Sequence, residues 1–360
     1  MIHYYFISSP LHLCIAANIS IDNSEVRNVA VIITKNAAVG EAYSTAIQRH
    51  KEIFYDVVVM PAAKGFKEIL LRKKKFKQFR EMFSKGEACR IFTGNDRRSE
   101  FQYSMYIARQ YYPQVEGVYM DDGAISYAGH KSINCIQHRC IDPILKKLLR
   151  GKWWENSLTV GASDWVSSAY VAFPDAVHSL LKKKELIKLD ASIFISERFM
   201  AFAADFLGND ARLTQLLSQL KVVVTLPHEA AFLSVESDYR RLADILLDFY
   251  PYQKIAIKSH PRAENMDAVK TIFPGASLID RYVGMEFLVP FLSDDCLVIG
   301  DVSTTLLTAK WLRPDLTVIS IDYSQKPNEQ MTHLYERLSI EKICIDQLPE
   351  RLRKSNKLVQ

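Results

Sequence analysis

The chain has 360 residues, 48% of them hydrophobic and 24% charged. That balance excludes a disordered tail, a collagen-like fibre and a small disulfide-stapled domain, and the length suits two domains with separate cores. Lys and Arg number 46 against 41 Asp and Glu, and the net charge of +5 is too small to call for nucleic acid.

No run approaches the ~20 apolar residues of a membrane-spanning helix. Met1–Phe6 lacks the charged lead and small-residue cleavage site of a signal peptide, so a cytoplasmic location is expected. In chain order, Ile2–Ser8 reads as a strand, then a Ser-Pro turn and an apolar stretch, Leu11–Ile19. Val29–Thr34 is a continuous β-branched run of the kind buried on both faces of a parallel sheet. Asp56–Met60, Arg90–Thr93 and Gly117–Met120 follow as strands, separated by helical patterns over Gly40–Phe54, Ala63–Ser84 and Ser99–Tyr112. The second half repeats the alternation. Lys221–Thr225, Lys254–Lys258, Ser277–Ile279, Cys296–Ile299 and Leu316–Ile321 read as strands, and Ser237–Phe249, Tyr282–Leu292 and Thr304–Leu312 as helices. Leu180–Asn209 reads as charged and helical without a strand, and the domain junction is expected near residue 190. The prediction is α/β: two doubly wound domains, 1–190 and 191–360, whose parallel sheets face a central cleft.

In open α/β sheets ligands sit beyond the carboxyl ends of strands, so the residues after each strand carry the functional expectation. Asp121-Asp122-Gly123 follows Gly117–Met120; adjacent carboxylates at a strand end point opposite ways, and one can serve as a general base on a sugar hydroxyl. A polar turn is the competing reading. Ser259-His260-Pro261-Arg262 follows Lys258, and a histidine or arginine there can donate to a phosphate. Gly300-Asp301-Val302-Ser303-Thr304-Thr305 leads into a helix, where the hydroxyls can cap it, hold a phosphate, or both. Pro227-His228-Glu229 exits a further strand in the same way. In the first half, Ser8-Ser9-Pro10-Leu11-His12 and Thr93-Gly94-Asn95-Asp96 follow strands and could line the facing wall, with Asn95 and Asp96 on the acceptor side. Ser9, Pro10, Gly123 and Lys258 are counted with the donor-binding residues.

Three phosphate-type signals opposite a carboxylate pair describe a nucleotide-sugar transferase. Neither GxGxxG nor GxxxxGK[ST] occurs, which disfavours dinucleotide and ATP chemistry, and GxSxG is missing too. No Asp-x-Asp triplet is present, so no metal cofactor is expected. The six cysteines (14, 89, 135, 140, 296 and 344) form no CxxC pair. Cys135, His138 and Cys140 are too few and too widely spaced for a zinc site.

The ordered set Asp121-Asp122-Gly123, His260-Pro261 and Ser303-Thr304 resembles the motifs of bacterial sialyltransferases and polysialyltransferases. The opening Ser9-Pro10-Leu11-His12 is similar to that group's Ser/Thr-Pro-Leu-Gln, with His in place of Gln. The resemblance implies a GT-B fold, a C-terminal segment that can return to the first domain, and CMP-sialic acid as donor, used without metal and with inversion. It also implies an acidic base at Asp121 or Asp122, with Asp121 favoured. His260, Ser303 and Thr304 would contact the CMP phosphate. A terminal galactose-like sugar of a bacterial surface glycan is the expected acceptor. Alternatives are another GT-B enzyme acting on CMP-Kdo or a UDP-sugar, a sugar-nucleotide epimerase, or a non-catalytic module of polysaccharide assembly.

Two basic, aromatic stretches remain. Lys67, Arg72, Lys73, Lys74, Lys75, Lys77 and Arg80 are interleaved with Phe66, Phe76 and Phe79; Lys146, Lys147, Arg150 and Lys152 precede Trp153-Trp154. Such stretches suit the surface of an anionic bilayer, so peripheral contact with the inner face of the cytoplasmic membrane is expected. A solvated helix face and a groove for an anionic glycan compete with it.

Overall fold

A computed structural model describes residues 1–62, 66–85, 88–129, 147, 151–260, 263, 265–281, 283–322 and 329–357. The chain divides into two compact units, Met1–Phe202 and Ala203–Gln360. The expected junction near residue 190 falls inside the first unit, just before the short 3-10 turn Ala191–Ile195.

The first unit is built on seven strands: β1 (Ile2–Ile7), β2 (Arg27–Thr34), β3 (Asp56–Pro61), β4 (Ala88–Thr93), β5 (Glu116–Met120), β6 (Ser168–Val171) and β7 (Glu185–Lys188). They lie in the order β3-β2-β1-β4-β5-β6-β7, and every pairing is parallel. β1 and β2 are buried along almost their whole length, as strands covered by helices on both faces must be. Tyr5 stacks on Phe92 with ring centroids 4.4 Å apart, locking β1 to β4. Helix α1 (Pro10–Asp22) is nearly apolar all round and buries its residues from His12 to Ser20; Ser9 caps it and Pro10 sits in its first turn, where a missing N–H costs nothing.

The second unit has six strands: β8 (Val222–Thr225), β9 (Ile255–Lys258), β10 (Ser277–Ile279), β11 (Leu297–Gly300), β12 (Thr317–Ile321) and β13 (Glu341–Ile343). Their order is β10-β9-β8-β11-β12-β13, again parallel throughout. Val222, Val224, Ile255, Ile257, Leu297 and Ile299 pack with Tyr239, Leu242 and Leu246 of the helix Glu236–Leu247 to form its core.

In both units the sheet grows outward in two directions from a central pair, β1/β4 and β8/β11. Each therefore has a topological switch point, where diverging connections leave a crevice at the strands' carboxyl ends. The expected strands all form, with ends shifted by a residue or two. β6, β7 and β13 were not expected. β7 corrects the strandless reading of Leu180–Asn209: its sequence Glu-Leu-Ile-Lys has charged ends because it is an edge strand, half of it facing water. The expected helix over Tyr282–Leu292 is shorter, a turn at Met285–Leu288 continued by a 3-10 turn at Val289–Phe291.

Of the basic stretches, the helix Phe66–Lys85 forms. Its Lys75 is buried and donates to Glu100 at 2.9 Å, while Lys73, Lys74, Lys77 and Arg80 are exposed. Trp153 and Trp154 are buried, Trp153 against Phe76 and Tyr103, so neither ring is offered to a membrane. Lys146 and Arg150 of the second stretch lie outside the described residues, as do Cys135, His138 and Cys140. Among the described residues no helix is long and apolar enough to cross a membrane.

Candidate active site

In the first unit the exits of β1, β4 and β5 meet at the switch point. The two carboxylates after β5 have unlike surroundings. Asp121 is 1% exposed. Its Oδ1 accepts from the Gly123 amide at 3.0 Å and the Ser126 hydroxyl at 2.7 Å. Its Oδ2 accepts from the Ala172 amide at 3.0 Å and from the Tyr127 hydroxyl. Burial pushes its carboxyl above the usual range, and the hydrogen bonds from Ser126 and Tyr127 draw it partly back. With four donors on two oxygens, this side chain is committed to tying β5, its exit loop and β6 together. Gly123 turns the loop with φ +67° and ψ −137°, a conformation that glycine alone adopts freely.

Asp122 points the other way. Its carboxylate is partly exposed, and Oδ1 lies 2.8 Å from His12 Nε2. The His12 ring is buried, and its Nδ1 lies 3.2 Å from Ser8 Oγ. The Asp122 amide donates to Ser126 Oγ at 2.9 Å, so the loop that carries the carboxylate is fixed at its main chain. Gly94, at the β4 exit, makes room for the histidine: a Cβ there would fall 2.0 Å from His12 Nε2.

Ser9 accepts from the His12 amide at 3.2 Å, a helix cap. Asn95 turns its own loop, its Oδ1 accepting from the Arg97 amide at 3.1 Å. Asp96 corrects its expected acceptor-side place. It is fully buried, and its carboxylate accepts the amides of Gly161 and Ser163 at 2.8 Å each, because those two otherwise unpaired donors need an acceptor in the interior.

In the second unit the exits of β9, β8 and β11 lie side by side in the sheet. Two of these exits bring side chains together. His228 and His260 stand edge to face with ring centroids 6.4 Å apart. His228 Nδ1 accepts from the Ala231 amide at 3.3 Å, which leaves Nε2 as the donor atom of the neutral ring. Pro227 leads into this turn and Glu229 opens the helix Glu229–Ser234. Ser303 caps the helix Thr304–Leu312 through its Oγ, with the Thr304 side chain exposed and that of Thr305 half-buried. Gly300 permits close packing of β11 on β8, since a Cβ there would lie 2.1 Å from Thr225 Oγ1.

Lys258 is buried, and its Nζ donates to the carbonyls of Ser259 at 3.0 Å and Arg281 at 3.2 Å. Burial lowers its ammonium to about 8, against an opposing pull from Glu286 and Asp280. Burial likewise raises the Asp301 carboxyl. Pro261 and Arg262 lie outside the described residues. Among the described residues no three His, Cys, Asp or Glu side chains gather as metal ligands.

Sequence reasoning gave no role to Ser126, Tyr127 or Tyr335, and gave His12 only a place in the wall-lining run that follows β1. His12 carried a signal, standing three residues after the cap Ser9 at a strand exit. Tyr335 is 32 residues from its partner Ser303, and nothing local marks it.

Two Rossmann-type parallel sheets, each with polar strand exits at its switch point, define an α/β protein of the GT-B class. The model of the family described as alpha-2,8-polysialyltransferase matches residues 4–322, and the chain belongs to that family. It is therefore a glycosyltransferase of the bacterial sialyltransferase group.

Solved structures agree on the fold. The alpha/beta-galactoside alpha-2,3-sialyltransferase of Photobacterium phosphoreum matches with a TM-score of 0.62 at 12% identity, covering 96% of this chain and 99% of that one. A UDP-N-acetylglucosamine 2-epimerase matches with a TM-score of 0.56 at 11% identity, over 98% and 86% of the two chains. UGT73P12 of Glycyrrhiza uralensis, solved with glycyrrhetinic acid 3-O-monoglucuronide, matches with 0.55 at 10% identity, over 99% and 90%. No curated protein matches the chain.

Proposed function

We propose that the chain transfers sialic acid from CMP-sialic acid to a hydroxyl of a bacterial surface glycan, with inversion at the anomeric carbon and without a metal ion. Asp122 is the general base. It takes the proton of the acceptor hydroxyl as that oxygen bonds to the anomeric carbon, while the bond from that carbon to the CMP phosphate breaks and CMP leaves. His260 and His228, with the hydroxyls of Ser303 and Thr304, donate to the departing phosphate. A single phosphate monoester needs only a few such donors to offset its charge.

The observation that supports this reading most is the contrast between the adjacent carboxylates. Asp121 has every oxygen engaged by protein donors. Asp122 is partly exposed, with His12 on one oxygen. Hence the base is placed at Asp122 and not at Asp121, the residue the sequence motif favoured.

A terminal galactose-like sugar of lipooligosaccharide, O-antigen or capsule is one acceptor. The family description favours a second, a terminal sialic acid that receives an α-2,8 bond. A peripheral place on the inner face of the cytoplasmic membrane goes with either, supported by the exposed Lys73, Lys74, Lys77 and Arg80 of one helix. Co-sedimentation with anionic vesicles at low salt is expected, and its failure removes that part.

The purified protein incubated with CMP-sialic acid in EDTA, with galactosides and sialosides offered separately, tests the whole. CMP release that depends on acceptor and is lost in Asp122→Asn and His260→Ala supports the proposal. Turnover of a UDP-sugar without an acceptor supports an epimerase instead, and no turnover of any sugar nucleotide supports a non-catalytic module.

A further inference from the structure

We propose that His12 is a positioning residue for the transfer reaction: it clamps one oxygen of Asp122 so that the other faces the acceptor. This rests on Asp122 being the base. The ring sits almost wholly out of solvent in α1 and spans two strand exits, with Nε2 at 2.8 Å from Asp122 Oδ1 and Nδ1 at 3.2 Å from Ser8 Oγ. An ionised carboxylate can only accept, so Nε2 carries the hydrogen of that bond whatever the charge on the ring. In the neutral ring Nδ1 is then left to accept from the Ser8 hydroxyl, which fixes the tautomer from the far side.

The backbone around the ring serves the same arrangement. Ser9 caps α1 through the amide of His12 itself, so the helix start and the ring are set by neighbouring residues. Gly94 lies against the imidazole: an added Cβ would fall 2.0 Å from Nε2 and 2.2 Å from Cδ2. Any other residue at 94 would drive the ring off Asp122. The Asp122 amide is tied to Ser126, so the backbone end of the side chain is fixed as well. Among the described residues Asp122 Oδ2 has no hydrogen-bond partner, which leaves it for the incoming hydroxyl. The proton goes from that hydroxyl to Oδ2 and no step passes through the ring. Holding a reacting group within reach is itself a large part of a rate, since a displacement of ~1 Å can cost about 10²-fold.

Kinetics of His12→Phe, His12→Gln and Gly94→Ala test this, with sialyl transfer and acceptor-independent hydrolysis of CMP-sialic acid followed together. His12→Phe keeps the bulk and removes the donor; Gly94→Ala keeps the histidine and displaces it. Both are expected to lower kcat for transfer by about 10²-fold with KM for CMP-sialic acid little changed. The ratio of transfer to hydrolysis should fall in step, because hydrolysis needs no oriented acceptor. His12→Gln, whose amide can still donate, should recover part of the loss.

Full transfer rates in Gly94→Ala or His12→Phe overturn the proposal, as does a His12→Gln no better than His12→Phe. Thermal unfolding is recorded for each. If the His12 variants do not fold, Ser8→Ala is decisive: it removes only the outer partner of the ring, and an unchanged transfer-to-hydrolysis ratio overturns the clamp. Asp122→Asn separates the two ideas. If it retains transfer, the base assignment fails; if it is inactive while His12→Phe is fully active, the positioning role alone fails.

Discussion

Tyr335 closes a two-bond ring on Ser303: its buried hydroxyl accepts from the Ser303 amide at 2.8 Å and donates to the Ser303 carbonyl. The residue that caps the helix at the β11 exit is thereby fixed from a helix far downstream, Glu329–Arg337. Burial pushes the phenol well above its ordinary range, so it stays protonated and able to donate. Tyr335→Phe removes both bonds and leaves an amide and a carbonyl unpaired. A loss of about 1–3 kcal/mol in urea unfolding is expected, together with a several-fold rise in KM for CMP-sialic acid. An unchanged KM would remove Ser303 from the donor site.

Asp121 and Asp122 should separate stability from activity. Asp121→Asn replaces one acceptor oxygen by an NH2 group that, in either amide orientation, faces a main-chain N–H (Gly123 or Ala172) that cannot accept. It should destabilise the protein by about 2–4 kcal/mol, read as a shifted urea midpoint. Asp122→Asn should leave that midpoint nearly unchanged and lower kcat by about 10²- to 10⁴-fold, the usual worth of a general base. The opposite pattern would return the base to Asp121.

Lys258 predicts a pH-dependent stability. Its ammonium titrates at 10.5 when free and at about 8 in the fold. Between those values the unfolded chain holds more protons than the native one, so the lysine's contribution to stability rises with pH across that window. At 1.36 kcal/mol per pH unit the swing is about 3 kcal/mol. The stability difference between wild type and Lys258→Met, measured by urea unfolding at pH 7 and again near 10.5, should move in favour of wild type by that order. A constant difference would mean that the ammonium is not desolvated.

The pair Lys75–Glu100 gives a fourth test. Both side chains are buried, 2.9 Å apart. Burial pushes Glu100 upward, but Arg98 and Lys75 together outweigh it and hold the carboxyl below its usual range. Lys75→Met removes the 2.9 Å partner of a buried carboxylate and leaves it the longer contact to Arg98 at 3.6 Å, so a loss of up to about 3–5 kcal/mol is expected. Adding Glu100→Leu should recover much of that loss, because an apolar pair needs no partner. If the double variant is no more stable than the single one, the lysine matters through packing and not through charge.

The sheets were legible because their central strands are written as runs such as Val-Ala-Val-Ile-Ile-Thr and Val-Val-Val-Thr, in which burial on both faces leaves no polar alternation. Edge strands β7 and β13 were not, since half their surface faces water and their composition matches that of a loop. The site was legible only as positions. Asp121, Asp122, His228, His260 and Ser303 could be placed at strand exits, but two adjacent carboxylates look alike in one dimension.

What the sequence alone determined, then, is which central strands form and which residues stand where those strands end. Tertiary structure decided their surroundings: Asp121 turns inward because Ser126, Tyr127 and Ala172 supply its donors, and Asp122 turns the other way to a histidine 110 residues earlier in the chain. Hydrogen bonds between residues so far apart depend on how the chain packs, and no local pattern of residues encodes them.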